Sequence, residues 1–196
     1  MLAWGMTEMP AAAARWQILT AAVMPHLEAG VHKVVVVLGS RAEETRQGAG
    51  LPDDPRLIFV VNPGWEEGMA SSLRRGIDAC EGESAILVAL GDQVGVDAAR
   101  VRNILEAWSP GCPLVVPVHG ERASHPVLFS RELWPELLRL EGDVGARAVV
   151  TRHWGEARLV SAEPLWDLDR QEDYESLLRG ERPPACGLPA PGKDEV

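Results

Sequence analysis

The sequence of 196 residues has little cysteine, and it has few aromatic residues other than tryptophan. Its three cysteines, Cys80, Cys112 and Cys186, are widely separated and odd in number, and none belongs to a C-x-x-C pair. This spacing favours free thiols in a reducing compartment over a metal site or a disulfide framework. We therefore expect a cytoplasmic protein.

The sequence also lacks a long hydrophobic run and a recognisable leader. No window approaches the roughly 18 uninterrupted apolar residues of a membrane helix. The amino-terminal stretch contains Glu8, Pro10 and Arg15, and it has no basic region followed by a clean apolar segment. It is therefore a poor signal peptide, and we expect no association with membranes.

Basic charge is scarce as well. The formal net charge is −10, and the 19 lysines and arginines are scattered along the chain. An acidic chain without a basic stripe repels nucleic-acid backbones, so we expect no nucleic-acid partner. A small anionic substrate is compatible with this charge, because helix N-termini and a divalent metal can bind phosphate on an acidic protein.

The chain does contain apolar, β-branched runs that alternate with helical patterns. The run at 33–38, K-V-V-V-V-L, is typical of a strand buried on both faces of a parallel sheet. Strands are predicted at 33–38, 57–61, 85–90, 114–118, 127–129 and 157–161, and helices at 40–47, 69–80, 97–108, 131–140, 144–153 and 171–178. This alternation predicts an α/β fold with a doubly wound, mostly parallel sheet, which binds ligands beyond the carboxyl ends of its strands.

The carboxyl-terminal stretch differs in composition from the rest. From Gly180 onward the chain is rich in proline and glycine and has almost nothing to bury. We predict one domain over residues 1–179 and a disordered tail over residues 180–196.

Two acidic segments are the strongest candidates for chemistry. Asp92, in Gly91-Asp92-Gln93, follows the third predicted strand, where it could hold a divalent cation or shape a turn. Asp167 and Asp169 share one face of an extended segment, and Asp169 could equally cap the helix predicted from residue 171. Together the two segments could hold Mg²⁺, which takes one or two carboxylates and fills its coordination shell with phosphate oxygens and water.

Three further segments have both a functional and a purely structural interpretation. The segment 142–147, G-D-V-G-A-R, either aims a helix N-terminus and Arg147 at an anion or is a loop in which Asp143 caps the next helix. His125, held extended by Pro126, is either structural or catalytic. The stretch at 64–72 either wraps a ligand or only connects a strand to a helix.

Five segments in this order resemble the MobA-like NTP transferases, the molybdenum-cofactor cytidylyltransferases and guanylyltransferases and their relatives. They are N-P-G-W-E-E-G-M-A-S-S-L-R-R-G (62–76), L-G-D-Q (90–93), S-H-P-V-L-F (124–129), G-D-V-G-A-R (142–147) and D-L-D-R-Q-E-D-Y (167–174). The first and fourth of them point to the cytidylyltransferase branch. The resemblance covers residues 26–179 and implies a Rossmann-like fold of the nucleotide-diphospho-sugar transferase type.

The resemblance also implies roles for particular residues and a reaction. Asp92 and Asp169 would bind Mg²⁺, and a substrate phosphate oxygen would attack the α-phosphorus of CTP or GTP, with release of pyrophosphate. The acceptor would be molybdopterin or a similar phosphorylated pterin, and a molybdoenzyme would receive the product. The implied nucleotide-binding residues are Leu2, Ala3, Gly5, Ser71, Ser72 and Gly91, and the implied acceptor-binding residues are His125, Asp143 and Arg147.

The amino terminus and one acidic motif depart from the family pattern. The family opens with a strand and then L-A-x-G-x-S-x-R-M-G-x-x-K, whereas this chain keeps only L-A-W-G at 2–5, and Arg15 has the wrong spacing to replace the lost basic residues. The family's D-x-D-T is D-L-D-R here, with Arg170 in place of threonine. On this pattern the residues of the first, central strand are absent.

Three explanations of the amino-terminal departure stay open. The translation start or upstream reading frame is wrong, the segment forms an unconventional loop that works, or the protein binds a related ligand without turnover. An inactive binding or chaperone-like protein is therefore the alternative to the enzyme. A transferase for a sugar or alcohol phosphate is a third hypothesis, disfavoured by the segments at 124–129 and 142–147.

Overall fold

The structure is a computed structural model, and it describes residues 2–3, 12–167, 179, 185–186 and 188–189. The strands are β1 (Leu2–Ala3), β2 (Val34–Leu38), β3 (Leu57–Val61), β4 (Ala85–Leu90), β5 (Gln93–Val94), β6 (Leu114–His119), β7 (Arg122–Ala123), β8 (Val127–Ser130), β9 (Arg158–Ser161), β10 (Leu165–Asp167), β11 (Ala185–Cys186) and β12 (Leu188–Pro189). The helices are α1 (Ala12–Glu28), α2 (Ala42–Gly48), α3 (Met69–Asp78), α4 (Ala98–Ala107), α5 (Trp134–Leu137) and α6 (Arg147–Arg152). Single 3-10 turns lie at Trp65–Glu67, Arg131–Leu133 and Trp154–Glu156.

The main sheet has a parallel half and a mixed half that meet at β4. In the parallel half the strand order is β3-β2-β1-β4. Because these four strands run parallel, their carboxyl ends lie at the same edge of the sheet. On the other side of β4, β8 runs antiparallel and is followed by β6, which pairs with β7 and β9. The predicted α/β fold with a mostly parallel sheet is confirmed.

Successive residues of β2 supply the two faces of the core. Val35 and Val37 belong to a cluster with Leu73 and Ile77 of α3, and all four are almost fully buried. Val34, Val36 and Leu38 belong to the opposite cluster, which α1 completes with residues such as Leu19, Val23 and Leu27. Burial on both faces is why this strand reads as an unbroken apolar run.

Helix boundaries follow the sequence closely where a capping side chain is present. Asp97 accepts a hydrogen bond from the Arg100 backbone N–H at 2.7 Å and caps α4 at the predicted position. Ser40 does not cap α2, because Arg41 adopts a left-handed conformation at that position and no side chain bonds to the helix N-terminus. The predicted helix at 171–178 lies outside the described residues.

Two-residue strands occur near both ends of the chain. Leu2 and Ala3 form a two-residue central strand, so the strand expected to be absent is present in shortened form. In the stretch expected to be disordered, β11 pairs with β10, and β12 pairs with β7. The division into a domain over residues 1–179 and a disordered tail over residues 180–196 stays a prediction.

Within the described part of the chain, no helix combines the length and the apolar character needed to span a membrane.

His26 is a buried titratable group near the end of α1. Its side chain is only 6% exposed, and its Nδ1 atom lies 2.9 Å from the Ala22 carbonyl oxygen. Burial away from water lowers the pKa of His26 to about 4, since a charged imidazolium would lose its hydration there. His26 is therefore neutral in the folded protein at neutral pH.

We expect the free energy of unfolding to fall as the pH drops from about 6.5 to 4. In this range His26 binds a proton more strongly in the unfolded chain than in the folded chain, so protonation favours unfolding. A pKa of 6.5 in the unfolded chain and about 4 in the folded one corresponds to roughly 3 kcal/mol. Urea unfolding at pH 7.5 and pH 4 should show this loss in the wild type and a loss smaller by that amount in His26→Gln. The exchange His119→Gln at an exposed position is the control, and an unchanged loss in His26→Gln would contradict the assignment.

Candidate functional site

The carboxyl edge of the parallel strands brings the ends of four strands together. Ala3 is paired with Leu90, so the chain leaves β1 beside Gly91 and Asp92. Gly39 follows β2, and Asn62 follows β3 on the same edge. The ligand position expected for such a sheet is therefore bordered by segments that were candidates for function on sequence alone.

Asp92 lies half-buried in the turn between β4 and β5. Next to it, Gln93 of β5 pairs in antiparallel register with Asp167 of β10. The register thus brings the start of the second acidic segment beside the first. Asp169 lies outside the described residues, as does Gly5, the implied nucleotide-binding residue.

His125 lies at the same edge. Val127 of β8 pairs with Val88 of β4, and the chain just before Val127 therefore runs past the end of β4. His125 is half-buried and is joined to Pro126 by a cis peptide bond. The side chain before it, Ser124, is buried and accepts a hydrogen bond at 2.8 Å from Nη2 of Arg100 on α4.

Asn62 organises the segment that follows β3. Its buried Nδ2 group donates to Ser71 Oγ at 2.8 Å and to Ser72 Oγ at 3.1 Å, and its Oδ1 atom accepts from the Gly64 backbone N–H. Ser71 Oγ also lies within hydrogen-bond distance of the Gly64 and Gly68 carbonyl oxygens. Both serines are 5% exposed, so their hydroxyls stabilise the loop at 62–72 from its buried side.

Two glycines permit the close packing of this loop. A Cβ atom at Gly39 would lie 2.8 Å from Trp65 Cβ, so Trp65 rests directly on the end of β2. Gly68 has φ +102°, and a Cβ there would collide with the Gly142 carbonyl group. Only glycine combines that backbone conformation with that contact.

The contact with Gly142 joins the two segments that the sequence assigned to different substrates. The Ala70 N–H donates to the Gly142 carbonyl oxygen at 3.0 Å, and the Met69 N–H donates to Asp143 Oδ1 at 3.4 Å. Asp143 therefore bonds to the N-terminus of α3, whereas the local interpretation had it capping the following helix. That helix, α6, begins at Arg147 without a side-chain cap, and Arg147 is exposed.

Three of these structural roles were not predicted from the sequence, namely those of Asn62, Arg100 and Gly68. Asn62 and Gly68 stand within the motif at 62–76, so their positions carried a signal, but only the folded chain shows which groups they meet. Arg100 carried no signal, because an arginine within a helical pattern is ordinarily exposed, whereas this one is 8% exposed and bonds to the Glu163 carbonyl oxygen and to Ser124.

The donor set at this edge fits a hard divalent cation. Carboxylate oxygen is the ligand that Mg²⁺ and Mn²⁺ accept, and one or two such groups are enough when phosphate and water complete the shell. Asp92 is a carboxylate of this kind, and the backbone of Asp167 pairs with its neighbour Gln93. Among the described residues, no group of three or more histidine, cysteine or acidic side chains is arranged so that it could hold a metal ion.

Comparison with known proteins identifies a family that this chain matches. A family model described as the MobA-like NTP transferase domain matches residues 15–157. A protein named nicotine blue oxidoreductase, from Paenarthrobacter nicotinovorans, is 35% identical over 133 residues, which are 62% of this chain and 61% of that protein. The match thus spans less than two thirds of that relative.

Three solved structures, of two different proteins, share the fold over most of their length. Rv0371c from Mycobacterium tuberculosis H37Rv is 27% identical, with a TM-score of 0.76 over 91% of this chain and 95% of that one. Rv0371c has also been solved in complex with manganese, with 27% identity and a TM-score of 0.66 over 83% of this chain and 86% of that one. A nucleotidyl transferase from Methanothermobacter thermautotroptrophicus is 26% identical, with a TM-score of 0.66 over 84% and 82% of the two chains.

The resemblance drawn from five short segments is thus confirmed by a match over a much longer stretch. The sheet order, the acidic strand end at its carboxyl edge and a family match that covers more than half of the chain agree with one another. The chain therefore belongs to the MobA-like NTP transferase family.

Proposed function

We propose that the protein transfers CMP from CTP to molybdopterin or a similar phosphorylated pterin, with release of pyrophosphate. The observation that carries the proposal is the pairing of Gln93 with Asp167, which sets two acidic segments side by side where the parallel strands end. Acidic groups at that edge suit a metal-bound triphosphate. The reaction is placed in the cytoplasm, in keeping with the free thiols of Cys80 and Cys112.

Asp92 and Asp169 are the residues that would hold Mg²⁺, and a manganese complex of the relative Rv0371c supports the use of a divalent metal. When bound, the cation would offset the charge that develops on the phosphates. Leu2, Ala3, Gly5 and Gly91 would border the nucleotide through their backbone. Ser71 and Ser72 would act indirectly, because their buried hydroxyls hold the loop at 62–72 in shape.

We propose that the acceptor binds beside the segment 142–147, which contacts the loop at 62–72 through Gly68 and Gly142. His125, Asp143 and Arg147 would face the pterin phosphate, with exposed Arg147 offering a guanidinium that can bind phosphate through two donors. Catalysis would then consist mainly of positioning, because the acceptor oxygen has to be held in line with the α-phosphorus. A molybdoenzyme that takes up the product is the proposed partner.

Pyrophosphate release is the measurement that separates this proposal from its alternatives. The purified chain should release pyrophosphate when it is given Mg²⁺, molybdopterin and CTP, and release it more slowly with GTP. Nucleotide binding alone would not be enough, since an inactive binding protein would also bind and one relative is named for redox chemistry. Saturable binding of the pterin without pyrophosphate release would favour the binding-protein alternative.

Removing one charge tests the metal assignment. In Asp92→Asn we expect Mg²⁺-dependent CTP affinity, measured by calorimetry, to fall at least about tenfold, because the amide cannot replace an anionic metal ligand. The melting temperature should change little. Asp97→Asn is the matched control, since it removes the same charge five residues away while asparagine keeps the helix cap. Equal affinity in the two variants would overturn the role of Asp92.

The loop contact makes a separate prediction. Gly68→Ala forces a Cβ against the Gly142 carbonyl group at a positive φ, so the segments at 62–72 and 142–147 must separate. We expect affinity for the nucleotide and for the pterin to fall together, by about tenfold or more. Gly111→Ala is the control, because it has φ +87° and open space around the new Cβ, and should cost only about 1–2 kcal/mol of stability. Unchanged binding by a folded Gly68→Ala protein would show that the contact does not shape the site.

A further inference from the structure

The strand β3 forms one edge of the main sheet. It pairs with β2 on one side, and none of the residues that the structure describes pairs with its other side. Its sequence, L-I-F-V-V, contains no charged residue and no proline. Edge strands of natural proteins usually carry such residues, because they prevent another strand from adding to the edge. The edge at β3 lacks this protection.

The hydrogen bonds to β2 show which backbone groups of β3 point outward. The Asn62 N–H donates to the Leu38 carbonyl oxygen at 2.8 Å, so residue 62 faces β2. Along a strand, the N–H and C=O groups of successive residues point to opposite sides, and the parallel register with β2 continues without interruption. Leu57, Phe59 and Val61 therefore turn their backbone groups toward the open edge.

One of these outward groups already has a partner. The Leu57 N–H donates to the Asp54 carbonyl oxygen at 2.9 Å. The others are the Leu57 carbonyl oxygen and the N–H and C=O groups of Phe59 and Val61, which make no hydrogen bond within the described part of the chain. These groups are placed to pair with another strand.

The pattern of outward groups is self-complementary. If a second copy of β3 lies antiparallel about a twofold axis at Phe59, each Phe59 N–H donates to the carbonyl oxygen of Phe59 of the second copy. Each Val61 N–H then donates to the carbonyl oxygen of Leu57 of the second copy. The Leu57 N–H keeps its bond within the chain. A second copy of this chain therefore fits the edge.

The side chains along the edge match in the same register. Ile58 and Val61 are 37% and 53% exposed, although both are large and hydrophobic. About the twofold axis, Ile58 lies opposite Val60 of the second copy, and Val61 lies opposite Leu57 of the second copy. Apolar pairs at directly opposite positions stabilise a sheet, and no like charges within β3 are opposed, although the net charge of the chain is −10.

We propose that two copies of this chain associate through β3, in antiparallel orientation, so that their main sheets join into one. The strand is short, and a standard stable interface buries about 800 Å² per partner, so we expect a dissociation constant in roughly the micromolar range. Antiparallel pairing sets the two candidate sites at opposite ends of the joined sheet. The proposal does not depend on the reaction proposed for those sites.

A proline at the edge tests the proposal. Val61→Pro removes an outward N–H and no bond to β2, so the monomer should tolerate it. In sedimentation velocity runs at about 5 to 500 µM, the unmodified chain should shift from monomer to dimer. Val61→Pro should weaken this association at least about tenfold, because each dimer loses two hydrogen bonds.

Leu159→Pro is the matched control. Leu159 is 48% exposed on β9, which pairs only with β6 among the described strands. The Ala162 N–H donates to the Val118 carbonyl oxygen at 2.9 Å, and the register with β6 therefore turns the N–H of residue 159 outward. This variant removes the same kind of group from a different edge and should dimerise like the unmodified chain.

Amide hydrogen exchange supplies a test that needs no variant. Between dilute and concentrated samples, exchange at Phe59 and Val61 should slow at least about fivefold, whereas exchange at Leu159 should not change. A chain that stays monomeric at the highest concentration would overturn the proposal. A dimer that Val61→Pro leaves intact, or protection that appears at Leu159 in place of Phe59, would overturn it as well.

Discussion

The pairing of Leu2 and Ala3 with β2 on one side and β4 on the other joins the two halves of the main sheet. Without this short strand, β2 and β3 would be separated from β4, β8 and β6. The same pairing sets the end of β1 level with Leu90, two residues before Asp92. The candidate site at the carboxyl edge thus depends on this one central strand.

Around the site, the shape of the loops depends on groups that would not touch a ligand. Asn62 satisfies two serine hydroxyls and a backbone N–H from one buried position, and Gly68 allows α3 to begin against the Gly142 carbonyl group. Buried polar groups of this kind hold a loop in one conformation. Breaking one of their hydrogen bonds would leave the partner group buried, with no water molecule to form a hydrogen bond in its place. The two segments at 62–72 and 142–147 consequently behave as one surface.

Family membership and substrate choice rest on different parts of the molecule. Proteins similar to this chain carry different names, including an oxidoreductase and a nucleotidyl transferase. A fold of this kind supports several reactions, so the acceptor has to be argued from the loops. Here those loops are the ones that Gly68 and Asn62 shape, which is why the exposed residues Asp143 and Arg147 matter for the proposed pterin.

The sequence by itself determined the class of fold, the position of most strands and helices, and the five segments from which the candidate site was predicted. It could do so because burial on both faces produces unbroken apolar runs, and because strand ends carry turn chemistry that local patterns reveal. The two-residue central strand, the bond from Asp143 to α3 and the burial of Arg100 were decided only by tertiary structure. Each depends on residues far apart in the chain meeting in space, and a local pattern contains no information about which distant partner a backbone or side-chain group will find.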